Sequence, residues 1–108
     1  MKIYINIFLI QLLTFSFVLQ TQAETEFDYY LNDFFNKRSE ATQILKEIEL
    51  EIKNGSRKNY CSRQREAAKI GLNANDSLIK AYKINGTNPP LKTIESNKNK
   101  WISIRENC

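Results

Sequence analysis

Few side chains in this 108-residue chain could carry covalent chemistry, and its two cysteines are the most distinctive of them. Cys61 and Cys108 could form a structural disulfide, act as a redox pair, or bridge two copies of the chain. A redox role is disfavoured because the cysteines lack C-x-x-C spacing and the chain has no histidine to activate a thiolate. We therefore expect a structural disulfide between Cys61 and Cys108, with an intermolecular bridge as the alternative.

Carboxylates offer the other chemistry that the composition permits, because the absence of histidine removes the commonest general base and metal ligand. Glycosidases need only two carboxyl groups, and Glu47 and Glu51 share one face of a helix at four-residue spacing. That face has the pattern of an exposed acidic surface, and the chain has neither a glycine-rich phosphate loop nor an EF-hand. We therefore expect no enzyme activity, no cofactor and no metal site.

The first residues have the organisation of a secretory signal. Lys2 precedes the uncharged, mostly apolar run Ile3–Leu19, and Thr21-Gln22-Ala23 places small residues before the acidic Glu24. An uncleaved anchor is the alternative, but the run is shorter than the roughly 20 apolar residues that a membrane span needs. We predict a signal peptide over residues 1–23 and an exported helical domain over residues 24–108, located in the periplasm or secreted, with no membrane span after cleavage.

The exported domain is electrically polarised along its length. Residues 24–52 carry eight acids and three bases, whereas residues 53–108 carry four acids and twelve bases. Such a charge pattern bears on which partners the surface of the domain could bind, and not on its fold. Nucleic acid is a poor candidate partner because the domain is exported and no aromatic residues interleave with its basic residues.

Glycine and proline divide the domain into three segments, because they cluster in Asn54-Gly55-Ser56 and again between residues 85 and 90. The segments have helical and not alternating periodicity. We predict an all-α fold, a small three-helix bundle with one disulfide joining the start of helix 2 to the end of helix 3. A domain of this size has a small core and often depends on a cross-link.

The first helix is predicted from about Glu26 to Lys53, with Thr25 and Asp28 at capping-box spacing and Gly55 at the position of a C-terminal helix cap. Its apolar residues recur at three- and four-residue steps and indicate one buried stripe. These residues are Phe27, Leu31, Phe34, Ala41, Leu45, Ile48 and Ile52.

The second helix is predicted from about Arg57 to Ile84, with a stripe of mainly small residues. These are Tyr60, Gln64, Ala67, Gly71, Ala74, Leu78 and Ala81. The segment from Gly71 to Asp76 is rich in poor helix formers, so a kink or a short break there is an open alternative.

The third helix is predicted to follow Pro90 and to run to Cys108. Its apolar side consists of Leu91, Ile94, Trp101 and Ile104. An antiparallel pair of second and third helices would bring Cys61 and Cys108 to the same end, since their lengths, about 35 and 27 Å at 1.5 Å per residue, roughly agree.

Two surfaces are candidates for binding. The first is a cationic strip along the second helix, opposite the buried stripe, which could contact an acidic protein or an anionic envelope surface; an ordinary solvated face is the alternative. It consists of Lys58, Arg65, Lys69, Lys80 and Lys83, with Asp76 as the one acid among them.

The second candidate surface is aromatic. Tyr29 and Phe35 point away from the centre of the first helix's stripe. They could form an exposed patch for a partner, but we expect them to pack under the ends of the other helices because the third helix is poor in apolar residues.

The end of the chain resembles a known family. Trp101, the pair Arg105-Glu106 and Cys108, together with Asp76, Leu78 and Tyr82, are similar to the helices and closing cysteine of small periplasmic proteins of the LprI type of lysozyme inhibitor. The similarity covers residues 76–108, and it implies inhibition of a lysozyme-like cell-wall lytic enzyme. From the residues themselves we expect a small exported non-catalytic protein that binds a partner through its surface.

Overall fold

A computed structural model describes the backbone of residues 2–108 and the side chains of residues 25–108. The described chain forms three α-helices and no strand: α1 (Lys2–Lys53), α2 (Tyr60–Ile84) and α3 (Leu91–Glu106). The prediction of an all-α, three-helix fold is therefore confirmed. The predicted signal peptide, residues 1–23, lies outside the residues whose side chains are described. No helix in the described residues is both long enough and apolar enough to cross a membrane.

The first helix begins earlier than predicted. α1 starts at Lys2 and not near Glu26, so Thr25 and Asp28 lie inside the helix and do not cap it. The physical reason is that no glycine or proline occurs before Gly55 to interrupt the helix. Thr25 and Asp28 could cap the helix only if the chain began just before them, as it would after cleavage behind Ala23.

Both connections between helices use glycine in the left-handed region. Gly55 has a φ of 87° and donates its N–H to the carbonyl of Ile52 over 3.0 Å, while Ser56 donates to the carbonyl of Glu51 over 2.8 Å. This pair of bonds is the Schellman motif, which satisfies the last carbonyls of a helix. The same motif recurs at Gly86, with a φ of 70°. The predicted boundary at Gly55 is confirmed.

The second helix starts three residues later than predicted, at Tyr60 and not at Arg57. Asn59 adopts a φ of 57°, a left-handed conformation that a helix cannot contain. Lys58 therefore belongs to the connection before α2 and not to the helix itself.

α2 is the central helix of the fold. It packs against both other helices, whereas no Cα atom of α1 comes within 8 Å of one in α3 in the described chain. Arg63 and Ser77 of α2 contact α1, while Gln64 and Gly71 contact α3. Arg63 and Gln64 are adjacent in the sequence, and Gly71 is six positions from Ser77. In a helix, either spacing places two residues on faces roughly 100° to 120° apart. The single stripe predicted on α2 is therefore divided between two neighbouring contact faces.

Burial follows the predicted stripes closely. The buried members are Phe34, Ala41 and Ile48 in α1, and Ala67, Gly71, Ala74 and Ala81 in α2. Tyr60, Gln64 and Leu78 are only half-buried. Tyr60 and Gln64 lie in the first two turns of α2, beside the end of the chain.

The contact between Gly71 and Trp101 explains why α2 is continuous where a break was an alternative. A Cβ atom built on Gly71 would overlap the indole ring of Trp101, which is itself buried. Glycine costs about 1 kcal/mol relative to alanine inside a helix, but here it lets a large aromatic ring rest on the backbone. Tertiary packing therefore outweighs the weak helix propensity of this segment.

The third helix buries less of its apolar side than predicted. Ile94 and Trp101 are buried and Ile104 is half-buried, but Leu91 is 69% exposed. The inward placement of Leu91 was wrong because this residue is the first of α3 and lies at the edge of the contact with α2.

A buried polar contact joins α1 to α2. Ser77, which is 6% exposed, donates its hydroxyl hydrogen to Asp33 of α1. Lys37 lies 2.9 Å from the same carboxylate oxygen. The Ser77 hydrogen bond, followed by that of Lys37, lowers the pKa of Asp33 below its usual value. The charged form of Asp33 is therefore favoured in the folded protein.

The first prediction concerns Gly71. Gly71→Ala should lower the free energy of unfolding by about 1–2 kcal/mol, because overpacking against the buried ring of Trp101 should cost about 2–3 kcal/mol and better helix propensity returns about 1 kcal/mol. Urea denaturation measures the change. Asn73→Ala, at an exposed site in the same helix, is the control and should be neutral or slightly stabilising. A Gly71→Ala protein as stable as the wild type would contradict the packing described.

The second prediction concerns pH. Because the pKa of Asp33 is lower in the folded than in the unfolded protein, its stabilising contribution is present above about pH 4 and is lost as pH falls through the lowered folded value. Ser77→Ala should raise that pKa and make stability fall less steeply with acid in this range. Ser62→Ala, an exposed hydroxyl of α2, should leave the pH dependence unchanged. If the stability of the wild type and of Ser77→Ala fell identically with decreasing pH, the role of this hydrogen bond would be refuted.

Candidate functional site

The cysteines meet at one end of the α2–α3 pair. Cys61 lies in the first turn of α2 and Cys108 just beyond the end of α3. The two residues approach to 2.6 Å, near disulfide distance. Both are half-buried. The antiparallel arrangement expected from the helix lengths is therefore observed, and a disulfide between them needs no rearrangement of the backbone.

Polar contacts hold the end of the chain beside α2 independently of any disulfide. Tyr60 donates its hydroxyl hydrogen to the main-chain oxygen of Cys108 over 3.2 Å. Gln64 donates its side-chain amide to the carbonyl of Ile104 over 2.7 Å. These hydrogen bonds hold Cys108 beside Cys61 before oxidation. Forming the disulfide should therefore cost little additional conformational entropy in the folded protein.

The environment of the Cys108 thiol does not resemble that of a reactive cysteine. The hydrogen bond with Cys61, followed by partial desolvation, raises the pKa of Cys108, and nearby Arg65 opposes this effect only in part. Reactive cysteines instead have a lowered pKa, since the thiolate is the nucleophile. The arrangement therefore favours a structural bridge over thiol catalysis.

The third prediction concerns this pair. Closing a loop whose ends are 47 positions apart should stabilise the oxidised protein by about 4 kcal/mol in the chain-entropy model. The variant with Cys61→Ser and Cys108→Ser should lose that amount in thermal or urea unfolding. In excess reductant the wild type should unfold at the same point as the variant, which is the internal control.

Mass spectrometry of exported material tests the same pairing. We expect a chain that begins at Glu24 and is two hydrogens lighter than the dithiol. Free thiols in exported material would contradict the structural role.

Most of the cationic strip lies together on the outside of α2. Arg65, Lys69, Lys80 and Lys83 are exposed and extend over about 27 Å of helix at 1.5 Å per residue. Lys58 is exposed as well but lies in the connection before α2. Ion pairs form elsewhere in the part of the chain with described side chains, and none involves these five cations.

One member of the strip has an aromatic neighbour. The ammonium group of Lys80 lies 5.5 Å from the ring centroid of Tyr30 in α1, within the range of a cation–π interaction. This contact was not predicted, because it depends on how α1 is rotated against α2.

The acidic pair considered for hydrolysis has a different role. Arg63 binds both carboxylates, Glu47 at 3.2 Å and Glu51 through a shorter contact. A guanidinium with fixed fork geometry suits such a double contact. The two glutamates therefore join α1 to α2 as an ion-pair network. Sequence patterns did not single out Arg63, because the residues it pairs with are 12 and 16 positions away.

Tyr29 and Phe35 do not pack under the other helices. Tyr29 is 65% and Phe35 54% exposed, so the expected packing was wrong. Each ring contacts its neighbour in α1, with centroid distances of 5.2 Å to Tyr30 and 5.1 Å to Phe34. The two exposed rings are six residues apart, about 120° around the helix, so they face different directions and do not form one patch.

Among residues 25–108, no three acidic or cysteine side chains come together in a way that could hold a metal ion. The carboxylates that do meet another element, Asp33, Glu47 and Glu51, are bound by Ser77, Lys37 and Arg63. These three carboxylates are therefore engaged by partners within the fold.

Comparisons with known proteins returned no match to this chain, whether with protein-family models, curated proteins or solved structures.

Proposed function

We propose that this chain is a small exported non-catalytic protein that binds an anionic partner through the cationic strip of α2. The observation that carries the proposal is that the cations of the strip are exposed on one side of α2 and form no ion pair with the described acids. By contrast, Arg63 in the same helix is engaged by two glutamates. The strip is thus available to a partner.

The position of the strip in the fold also supports binding. α1 and α3 cover two neighbouring faces of α2, so most of the strip lies on the opposite side, with Lys80 at its edge beside Tyr30 of α1. A row of like charges on a rigid helix attracts an oppositely charged partner and increases the rate of association with it. Asp76 lies among the cations and is exposed, which limits how densely the positive charge can accumulate.

Export is the other part of the proposal, and it rests on the first 23 residues. A positively charged start, an uncharged apolar run and small residues before Glu24 are typical of a cleaved signal. In an oxidising compartment the adjacent cysteines would be joined. An acidic protein or an anionic envelope surface would then be the partner that the domain meets.

The fourth prediction tests the strip with matched charge changes. The variant with Arg65→Gln, Lys69→Gln and Lys80→Gln should bind vesicles rich in anionic lipid about a hundredfold more weakly at low salt, since each cation near such a surface contributes about 1 kcal/mol. Sedimentation of protein with the vesicles measures the affinity, and binding of the wild type should weaken as salt is added.

The control carries the same change of net charge at exposed sites outside the strip, Lys46→Gln, Lys92→Gln and Lys100→Gln. It should lose much less affinity than the strip variant. Equal losses in the two variants would mean that net charge alone drives binding, and unchanged binding of the strip variant would defeat the proposal.

A second candidate function, inhibition of a lysozyme-like enzyme, rests only on the resemblance of residues 76–108. No contact in the described part of the chain favours it over the first.

A further inference from the structure

The dipeptide Asn-Gly occurs twice in this chain, as Asn54-Gly55 and as Asn85-Gly86. Both pairs lie at the end of a helix, where each asparagine is exposed and each glycine has a positive φ. Neither pair belongs to the cationic strip. In both, the main-chain amide of glycine follows the asparagine side chain directly, with no Cβ atom to hinder a reaction between the two groups.

This arrangement permits an intramolecular reaction that needs only water. The main-chain nitrogen of glycine attacks Cγ of asparagine, so that an N–Cγ bond forms while the Cγ–Nδ2 bond breaks. Nδ2 leaves as ammonia, and the proton that the glycine amide loses is taken up in its departure. Water then opens the resulting succinimide ring at either carbonyl carbon and gives aspartate or isoaspartate. No group is oxidised or reduced, and asparagine is accordingly among the thermolabile residues.

Other asparagines in residues 25–108 lack this combination. Asn75 is 4% exposed and lies within α2, so the amide that follows it is fixed in the helix. Asn36 and Asn73 are exposed, but they lie inside helices and precede residues that have a Cβ atom. Exposure, a helix end and a following glycine therefore coincide at Asn54 and Asn85.

The helix ends restrain the reaction. Gly55 donates its N–H to the carbonyl of Ile52 over 3.0 Å, and Gly86 donates to the carbonyl of Lys83 over 3.1 Å. The glycine nitrogen must leave this hydrogen bond before it can lose its proton and attack. Helix ends open at much lower cost than the whole protein unfolds. The rate at each site should therefore follow local opening of the last helical turn.

The two turns are held differently. At the end of α1, Ser56 donates its N–H to the carbonyl of Glu51, and the side chain of Glu51 is bound by Arg63 of α2. At the end of α2 the corresponding carbonyl belongs to Tyr82, where the Thr87 hydroxyl adds a 3.5 Å hydrogen bond. No ion pair among the described side chains holds that turn.

We propose that Asn54 and Asn85 are sites of spontaneous conversion to aspartate and isoaspartate, and that Arg63 slows the conversion of Asn54 by holding the last turn of α1 closed. Asn85 therefore reacts first. Either product places a carboxylate at a helix C-terminus, where the partial negative charge of the helix opposes it. Isoaspartate also adds one atom to the main chain before the glycine, which disrupts the Schellman motif. Both changes weaken the helix end.

The full chain, incubated folded at mildly alkaline pH, tests the assignment. Peptide mapping by mass spectrometry and methylation by an isoaspartate methyltransferase follow each site over time. We expect conversion at both sites, faster at Asn85 than at Asn54, and none at Asn75. In urea both sites should react at nearly equal rates and at least about fivefold faster, the factor that corresponds to one lost hydrogen bond. No conversion in the folded protein, or equal rates with and without urea, would overturn the proposal.

Arg63→Gln tests the restraint on α1. It should speed the conversion of Asn54 about two- to fivefold, the range for one partly exposed ion pair, and leave Asn85 unchanged. Asn85 is thus the internal control for global destabilisation. The matched variant Arg105→Gln removes an exposed ion pair of α3 instead and should change neither rate. An unchanged rate at Asn54 in Arg63→Gln, or equal acceleration of both sites, would refute the role of Arg63.

Discussion

The contact of Trp101 with the bare backbone of Gly71 is the constraint on which the arrangement of the helices depends. Any side chain at position 71 would overlap the indole, so glycine sets how closely α3 can approach α2. At this distance the amide of Gln64 reaches the carbonyl of Ile104, and Cys108 lies beside Cys61. A disulfide between Cys61 and Cys108 therefore depends on the close approach of α2 and α3 at Gly71.

The side chains that α2 exposes are determined by its packing against both α1 and α3. α1 and α3 take faces of α2 roughly 100° to 120° apart, so the remaining face is left to solvent and carries the cationic strip.

Some polar side chains join the helices, whereas others form no ion pair in the described residues. Asp33 is bound by Ser77, and Glu47 and Glu51 by Arg63, so these acids hold α1 against α2. The strip cations form no ion pair with an acid in the described residues, although Lys80 lies over the ring of Tyr30.

Local patterns in the sequence determined the helical class, the boundaries at Gly55 and Gly86, and most of the buried residues, because periodicity and positive-φ glycine act within a few residues. Only the tertiary structure decided that α2 stays continuous through Gly71, that its stripe serves two neighbours, that Arg63 binds the acidic pair, and that Tyr29, Phe35 and Leu91 remain exposed. Each of these depends on how one helix is rotated against another. That rotation is set by side-chain packing between residues far apart in the chain, which no window of neighbouring residues contains.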